Sequence, residues 1–302
     1  MKKLIIIIFI FVGALQAQNS GISEAQRTLL LLSSKSAYPF LNAEASDWYD
    51  RVVANGGHVS DATKEAVDSF FIMIDDSSLR NLMIRVNLFA GKDLNSALAP
   101  QIISDYPDSA TIGYTTDLNV NFVEGDYSES VGLGDLSNIG KYLNTGVNPS
   151  LVPELDINSA GLGVYIITDI GGVTPIGAYN STYFVLSLID STYRTRLFNS
   201  SSINYNVGSD FNGYWDGNRT AGNAQDLYGH GILKSHLAIA PVAKPNKEIY
   251  VFAMSIGSNP TASDQRIYGG YTIHKGLTSD QERALDNIIE HFQDKLGRGV
   301  EP

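Results

Sequence analysis

The chain has 302 residues, a formal net charge of −11, no cysteine, 16 tyrosines and 28 glycines. Without cysteine there are no disulfides, thiol nucleophiles or thiolate metal sites, so stability must come from apolar burial and strand pairing. Dispersed acidic charge without basic clusters argues against nucleic acid or an anionic membrane as a partner.

The opening stretch MKKLIIIIFIFVGALQAQNS reads as an export signal. Lys2 and Lys3 form a positive start, Leu4 to Leu15 an apolar run too short to span a bilayer, and Ala17 the small residue at the cut. Removal of residues 1–17 would leave 302 − 17 = 285 residues with a charge of −11 − 2 = −13. The expected product is secreted or periplasmic and has no membrane span. An uncleaved N-terminal anchor is the other reading.

Residues 18–111 are expected to form a helical region. Ala45, Trp48, Val52 and Val53 share one face of a helix ended by Gly56-Gly57. Ser60 can cap a second helix whose stripe is Val67, Phe70, Phe71 and Ile74. Leu79–Ile103 is apolar but mixed in period, a short helical or strand segment followed by a turn at Gly91-Lys92.

From about Ile112 the texture changes to short alternating runs closed by turn residues, among them LNVNFVEG, LGVYIITDI, TYFVLSLI, YRTRLFN and EIYVFAMSIG. Such spacing predicts an antiparallel β-sandwich over 112–277, and nothing alternates strand with helix as a parallel sheet would require. The closing segment 278–302 reads as a helix and tail. Thr278 and Gln281 make a capping box, Leu285, Ile288, Ile289, Phe292 and Leu296 make one apolar stripe, and Gly297 stops it. The fold class expected is mainly β, a sandwich with an N-terminal helical region and a C-terminal helix.

The densest chemistry lies in Gly213–Gly231, GYWDGNRTAGNAQDLYGHG. Tyr214 and Trp215 are suited to stacking on the apolar face of a sugar ring, with Asp216, Asn218, Arg219 and Asn223 bonding its hydroxyls. In the competing reading Trp215 and Leu227 are core, Arg219 is a structural brace, and the glycines shape a hairpin.

Other chemistries fit less well. Counted from Asp210, positions 5, 6 and 12 of a calcium loop fall on Tyr214, Trp215 and Ala221, so the EF-hand pattern fails. No cofactor is expected, with an irregular calcium site from Asp210, Asn212, Asp216 and Asn218 left open. The histidines lack a His-Glu-x-x-His pairing. The run ELDINS offers Glu154 and Asp156 as a glycosidase pair, but Ser159 stands where a retaining laminarinase-type enzyme carries its acid/base, and a serine cannot protonate a leaving oxygen. No Gly-x-Ser-x-Gly elbow occurs, and Gly132–Gly140 lacks the lysine of a phosphate loop.

The same Gly213–Gly231 run resembles a hairpin pattern of phage and prophage structural proteins with a laminin G-like or concanavalin A-like lectin module. WYDRVVANGGHVSDATKEAVDSF, RVNLFAGKDLNSALAP, NVNFVEGDYSESVGLG and YGGYTIHKGLTSDQERALDNIIEHFQDKLGR resemble its other segments in order, from about Asp47 to Arg298. The resemblance implies an antiparallel jelly roll and a structural or binding role, and it does not imply an activity. The positions carrying the hairpin pattern look more like fold determinants than contacts. An export signal departs from virion proteins and favours a bacterial exported relative. Asp108-Ser109-Ala110 resembles a short O-glycosylation triplet.

Together these readings predict a non-catalytic surface-recognition or structural module, exported or virion-associated. Its expected partner is a glycan or cell-surface polysaccharide, held by Tyr214, Trp215, Asp216, Asn218 and Arg219, and homo-oligomeric or virion assembly is left open. The alternatives are a glycoside hydrolase using Glu154 and Asp156, or a purely architectural subunit.

Overall fold

Backbone pairing after residue 80 sorts the strands into two sheets. The computed structural model describes residues 38–104, 114–134, 140–168, 173–189, 191–208, 211–256, 259–261 and 264–300, and the sheets and helices belong to the unit Phe40–Pro302. The expected signal at 1–17, the triplet at 108–110 and Asp210 lie outside the described residues.

The first sheet runs, in spatial order, β14 (Ile232–Leu237), β13 (Ala224–Gly229), β12 (Gly213–Ala221), β7 (Ala160–Thr168), β18 (Ile267–His274), β1 (Met83–Asn87) and β2 (Ile102–Ile103). On its margin β5 (Gly132–Gly134) pairs with the start of β18, and β4 (Tyr127–Ser128) with β5. The second sheet runs β11 (Ile203–Asn206), β10 (Thr192–Asn199), β9 (Thr182–Ile189), β8 (Ile176–Asn180), β15 (Tyr250–Val251), β6 (Tyr142–Asn144) and β3 (Leu118–Val120). Beside β8 lies β16 (Met254–Ile256), the one parallel neighbour among the described ladders, which turns into β17 (Asn259–Thr261). The expected antiparallel sandwich is therefore what the chain forms.

Its start differs from expectation. The sandwich begins at Met83, not near Ile112, because β1 is an inner strand between β18 and β2. All five β1 residues are buried, so the strand shows no polar–apolar alternation for the sequence to reveal.

Side chains alternate across each strand, and the first sheet is covered on both faces. Leu162, Val164 and Ile166 of β7 meet Phe184, Leu186 and Leu188 of β9 in the core between the sheets. Tyr165 of β7 joins a second core under three helices, α1 (Ala43–Ala54), α2 (Asp61–Asp76) and α4 (Ser279–Lys295). A short helix, α3 (Leu94–Ala97), links β1 to β2.

The helices start where the capping residues place them. Asn42 accepts from Glu44 N, Ser60 from Thr63 N, and Thr278 forms the full capping box with Gln281. Leu285, Ile289 and Phe292 of α4 are fully or almost fully buried, each contributing about 1.5–3 kcal/mol by leaving water.

One polar brace ties the sheets together. Arg85 on β1 pairs with Asp117, ahead of β3, at 2.7 Å, and Tyr271 on β18 donates to the same carboxylate at 2.8 Å. Asn87 Nδ2 reaches its other oxygen at 2.7 Å. Both carboxylate oxygens are thus satisfied, which a buried charge requires.

Candidate functional site

β12 is hydrogen-bonded to β7 on one side and β13 on the other, in continuous register from Trp215 to Asn218. It is a central strand with one face on the second sheet and the other on α4. Tyr214, Trp215, Asp216, Asn218 and Arg219 are accordingly buried, none more than 3 % exposed. They do not form a solvent-facing fan, and the expectation that they touch a glycan is corrected here.

Each has a partner that explains its burial. Trp215 stacks on Tyr193 of β10 at 4.0 Å and 16°. Arg219 donates to the carbonyls of Ile239 at 2.9 Å and Leu197 at 3.2 Å, bracing the two sheets. Tyr214 Oη meets Thr272 Oγ1 at 2.6 Å, and burial, reinforced by Asp216, pushes its pKa well up. Asn218 clamps the turn before α4: its Nδ2 donates to Leu277 O at 2.6 Å, and Leu277 N donates back to its Oδ1 at 3.0 Å. The brace reading of this hairpin is the one the structure carries.

Asp216 belongs to a buried acid cluster beneath α4. Its Oδ1 lies 3.2 Å from His274 Nε2. Burial alone would lower the His274 pKa. The Asp216 charge and hydrogen bond, with the Lys275 carbonyl, outweigh it and raise the value. Glu282 on the first turn of α4 is fully buried against Asp216, and its pKa is pushed well above 4.5, first by burial and then by the Asp216 charge. No donor among the described residues reaches the Glu282 oxygens or Asp216 Oδ2. Burial beside a second carboxyl disfavours a charge on Glu282 and holds it toward its protonated form. The cluster is a latch under a helix, closed to solvent.

The calcium reading finds no loop: Asn212 is exposed, while Asp216 and Asn218 point under α4. No group of three or more His, Asp or Glu suited to a metal ion occurs among the described residues. Glu154 and Asp156 sit in the turn leading to β7. Asp156 Oδ1 accepts from Asn158 N at 2.8 Å within that turn, and Ser159 Oγ accepts from Gly276 N at 3.1 Å, tying the turn to the segment after β18.

Open chemistry lies instead on the outer face of the second sheet. Register puts Tyr179 opposite Tyr183, Val185 opposite Arg196, Ser187 opposite Arg194 and Tyr250 opposite Asn144, all pointing away from the core. On this face Tyr142, Tyr179, Tyr183, Tyr250, Arg194 and Arg196 are half-buried, while Val185, Ser187 and Asn144 between them are buried. Tyr142 and Tyr250 stack at 4.6 Å and 22°, and Tyr179 and Tyr183 pair at 4.3 Å. The Arg196 guanidinium lies 4.6 Å from the Tyr183 ring centre. Burial, then the neighbouring Tyr142 and Glu248, raise the Tyr250 pKa, and Asn144 Nδ2 holds Glu248 in place. This face was not among the expected sites. The signal present was Tyr183 alternating with Phe184, Leu186 and Leu188 in TYFVLSLI, and Arg194 and Arg196 alternating with Tyr193, Thr195 and Leu197 in TYRTRLFN.

A shallower cleft of about 300 Å³ opens beside β4 and β5, lined by Asp126, Tyr127, Val131, Ile267 and backbone glycines. Asp126 there is already paired with Lys141 at 2.7 Å.

No family model matches the chain, and no curated protein does. Among solved structures, the botulinum neurotoxin serotype D binding domain is 14 % identical, with a TM-score of 0.44 over 70 % of this chain and 52 % of that one. A point mutant of HCR/D gives 14 % identity and a TM-score of 0.46 over 70 % and 53 %. A structure concerning botulinum neurotoxin type C and its interaction with two ganglioside molecules gives 15 % identity and a TM-score of 0.37 over 52 % and 42 %. The chain thus spans about half the length of the structures it matches.

Proposed function

We propose that this protein is an exported, non-catalytic surface-recognition sandwich that binds glycans, and that the outer face of its second sheet is the binding surface. One observation carries the reading: two paired-tyrosine platforms and two arginines share one sheet face and stay partly exposed on it. Aromatic rings offer apolar faces to sugar C–H groups, while the phenols and the guanidiniums supply directional hydrogen bonds to hydroxyls. Export rests on Lys2, Lys3, the Leu4–Leu15 run and Ala17.

The test is a glycan array probed with the wild type and with the double variant Tyr142→Ala/Tyr250→Ala. Binding should weaken about tenfold or more in the variant, since each ring contributes roughly 0.5–1.5 kcal/mol, while circular dichroism stays unchanged. A folded wild type that binds no saccharide would overturn the reading and favour the architectural alternative.

A further inference from the structure

The arginines on this face differ from the others in the chain. Every other arginine among the described residues donates to a carboxylate or a carbonyl. Arg194 and Arg196 have no such hydrogen bond or ion pair among the described residues, and neither has further interactions beyond the stacking of Arg196 on Tyr183. Both Nε atoms are shut off from water without a partner. A half-desolvated guanidinium without a counter-charge is costly in any protein. It is unexpected in a chain of net charge −11, where acidic side chains outnumber basic ones 32 to 21.

Geometry narrows the ligand. Arg194 and Arg196 are two apart on β10, so they lie on one face about 7 Å apart. The contact with Tyr183 occupies a flat side of the Arg196 guanidinium and leaves the terminal Nη donors, though not the buried Nε, open to a ligand. Those donors form a fork that matches the two oxygens of a planar carboxylate. Around the fork stand neutral groups that suit a sugar ring: the Tyr179 and Tyr183 phenols, and exposed Asn204 on β11 across from Arg194.

We infer that Arg194 and Arg196 form the anion subsite of this face and that the saccharide it binds carries carboxylates, as in a uronic-acid polymer. This assignment rests on the glycan-binding reading of the same face and names its substrate class.

The test compares three oligosaccharides of equal length on the full chain by calorimetry: an oligogalacturonate, the neutral oligogalactan and a sulfated oligogalactan. The oligogalacturonate should bind at least about tenfold tighter than the neutral chain, as charge-assisted bonds of this strength allow, and its affinity should fall with added salt. Arg194→Ser/Arg196→Ser should abolish that preference but retain residual binding through the tyrosines. Arg194→Lys/Arg196→Lys, which keeps the charge and loses the fork, should recover only part of it. Equal binding of the neutral chain, unchanged in the Arg variants, would overturn this inference while leaving the glycan-binding face standing. Tighter binding of the sulfated chain, fully rescued by lysine, would also overturn it. Absence of binding to all three, with the array also blank, would remove both readings. Array binding lost in Tyr142→Ala/Tyr250→Ala, with no response to any uronate, would remove only this one.

Discussion

Replacing Glu282 with glutamine removes one titrating proton from beneath α4 while keeping shape and a donor toward Asp216. In the unfolded chain this carboxyl titrates near its ordinary value of 4.5; in the folded protein burial and Asp216 hold it well above. A raised folded value means that the native state keeps a proton the unfolded chain has released. Its contribution to stability is therefore fully present below pH 4.5 and is lost as pH rises toward the folded value. The loss amounts to about 1.4 kcal/mol for each pH unit in that window. Glu282→Gln has no such loss, so its stability relative to wild type should climb as pH rises above 4.5 toward the folded value. Urea unfolding of both proteins at pH 5, 6 and 7 measures the difference directly, because the other titrating groups are shared. A difference that stays constant across those three pH values would refute the upward shift of Glu282.

The packing described for β12 and its neighbours sets three further outcomes. Trp215→Ala should cost about 3–5 kcal/mol of stability by emptying its site against Tyr193, and should leave glycan affinity of the folded fraction unchanged; a selective loss of affinity at unchanged melting temperature would return Trp215 to the binding surface. Asn218→Ala leaves the Leu277 N–H and C=O without their partners, at about 1–3 kcal/mol, so amide exchange should accelerate first in α4 and in β12. Gly163→Ala drives a Cβ into the Tyr214 hydroxyl and ring, which the packed interior cannot absorb, and calorimetry should show the melting temperature dropping by several degrees.

What the sequence disclosed depended on how many faces of an element are covered. The helices were plain because each buries one stripe: Thr278, Gln281, Leu285, Ile289 and Phe292 define α4 with no tertiary knowledge. The β10 strand was plain for the analogous reason, its first residues alternating half-buried and buried. On β12 the pattern misled. Tyr214, Asp216 and Asn218 alternate as an exposed polar face would, yet that face lies under a helix, and each of the three has a buried partner there. Only the position of α4 distinguishes the two cases, and pairing across 58 residues, as between Asp216 and His274, leaves no local trace. β1 failed oppositely: a run buried on both sides has no period to read. The true open face was hidden because Tyr179, Tyr183, Arg194 and Arg196 look like ordinary surface residues until strand order brings them together.

The place of β18 has a consequence for how the molecule comes into being. This strand lies between β1 and β7 and bonds to both. It is synthesised long after either of them. Until it arrives, the growing polypeptide holds two raw sheet edges with the central wedge missing, so assembly must wait and then happen nearly at once. Such delayed closure leaves unpaired strand edges open to wrong pairing until β18 is made.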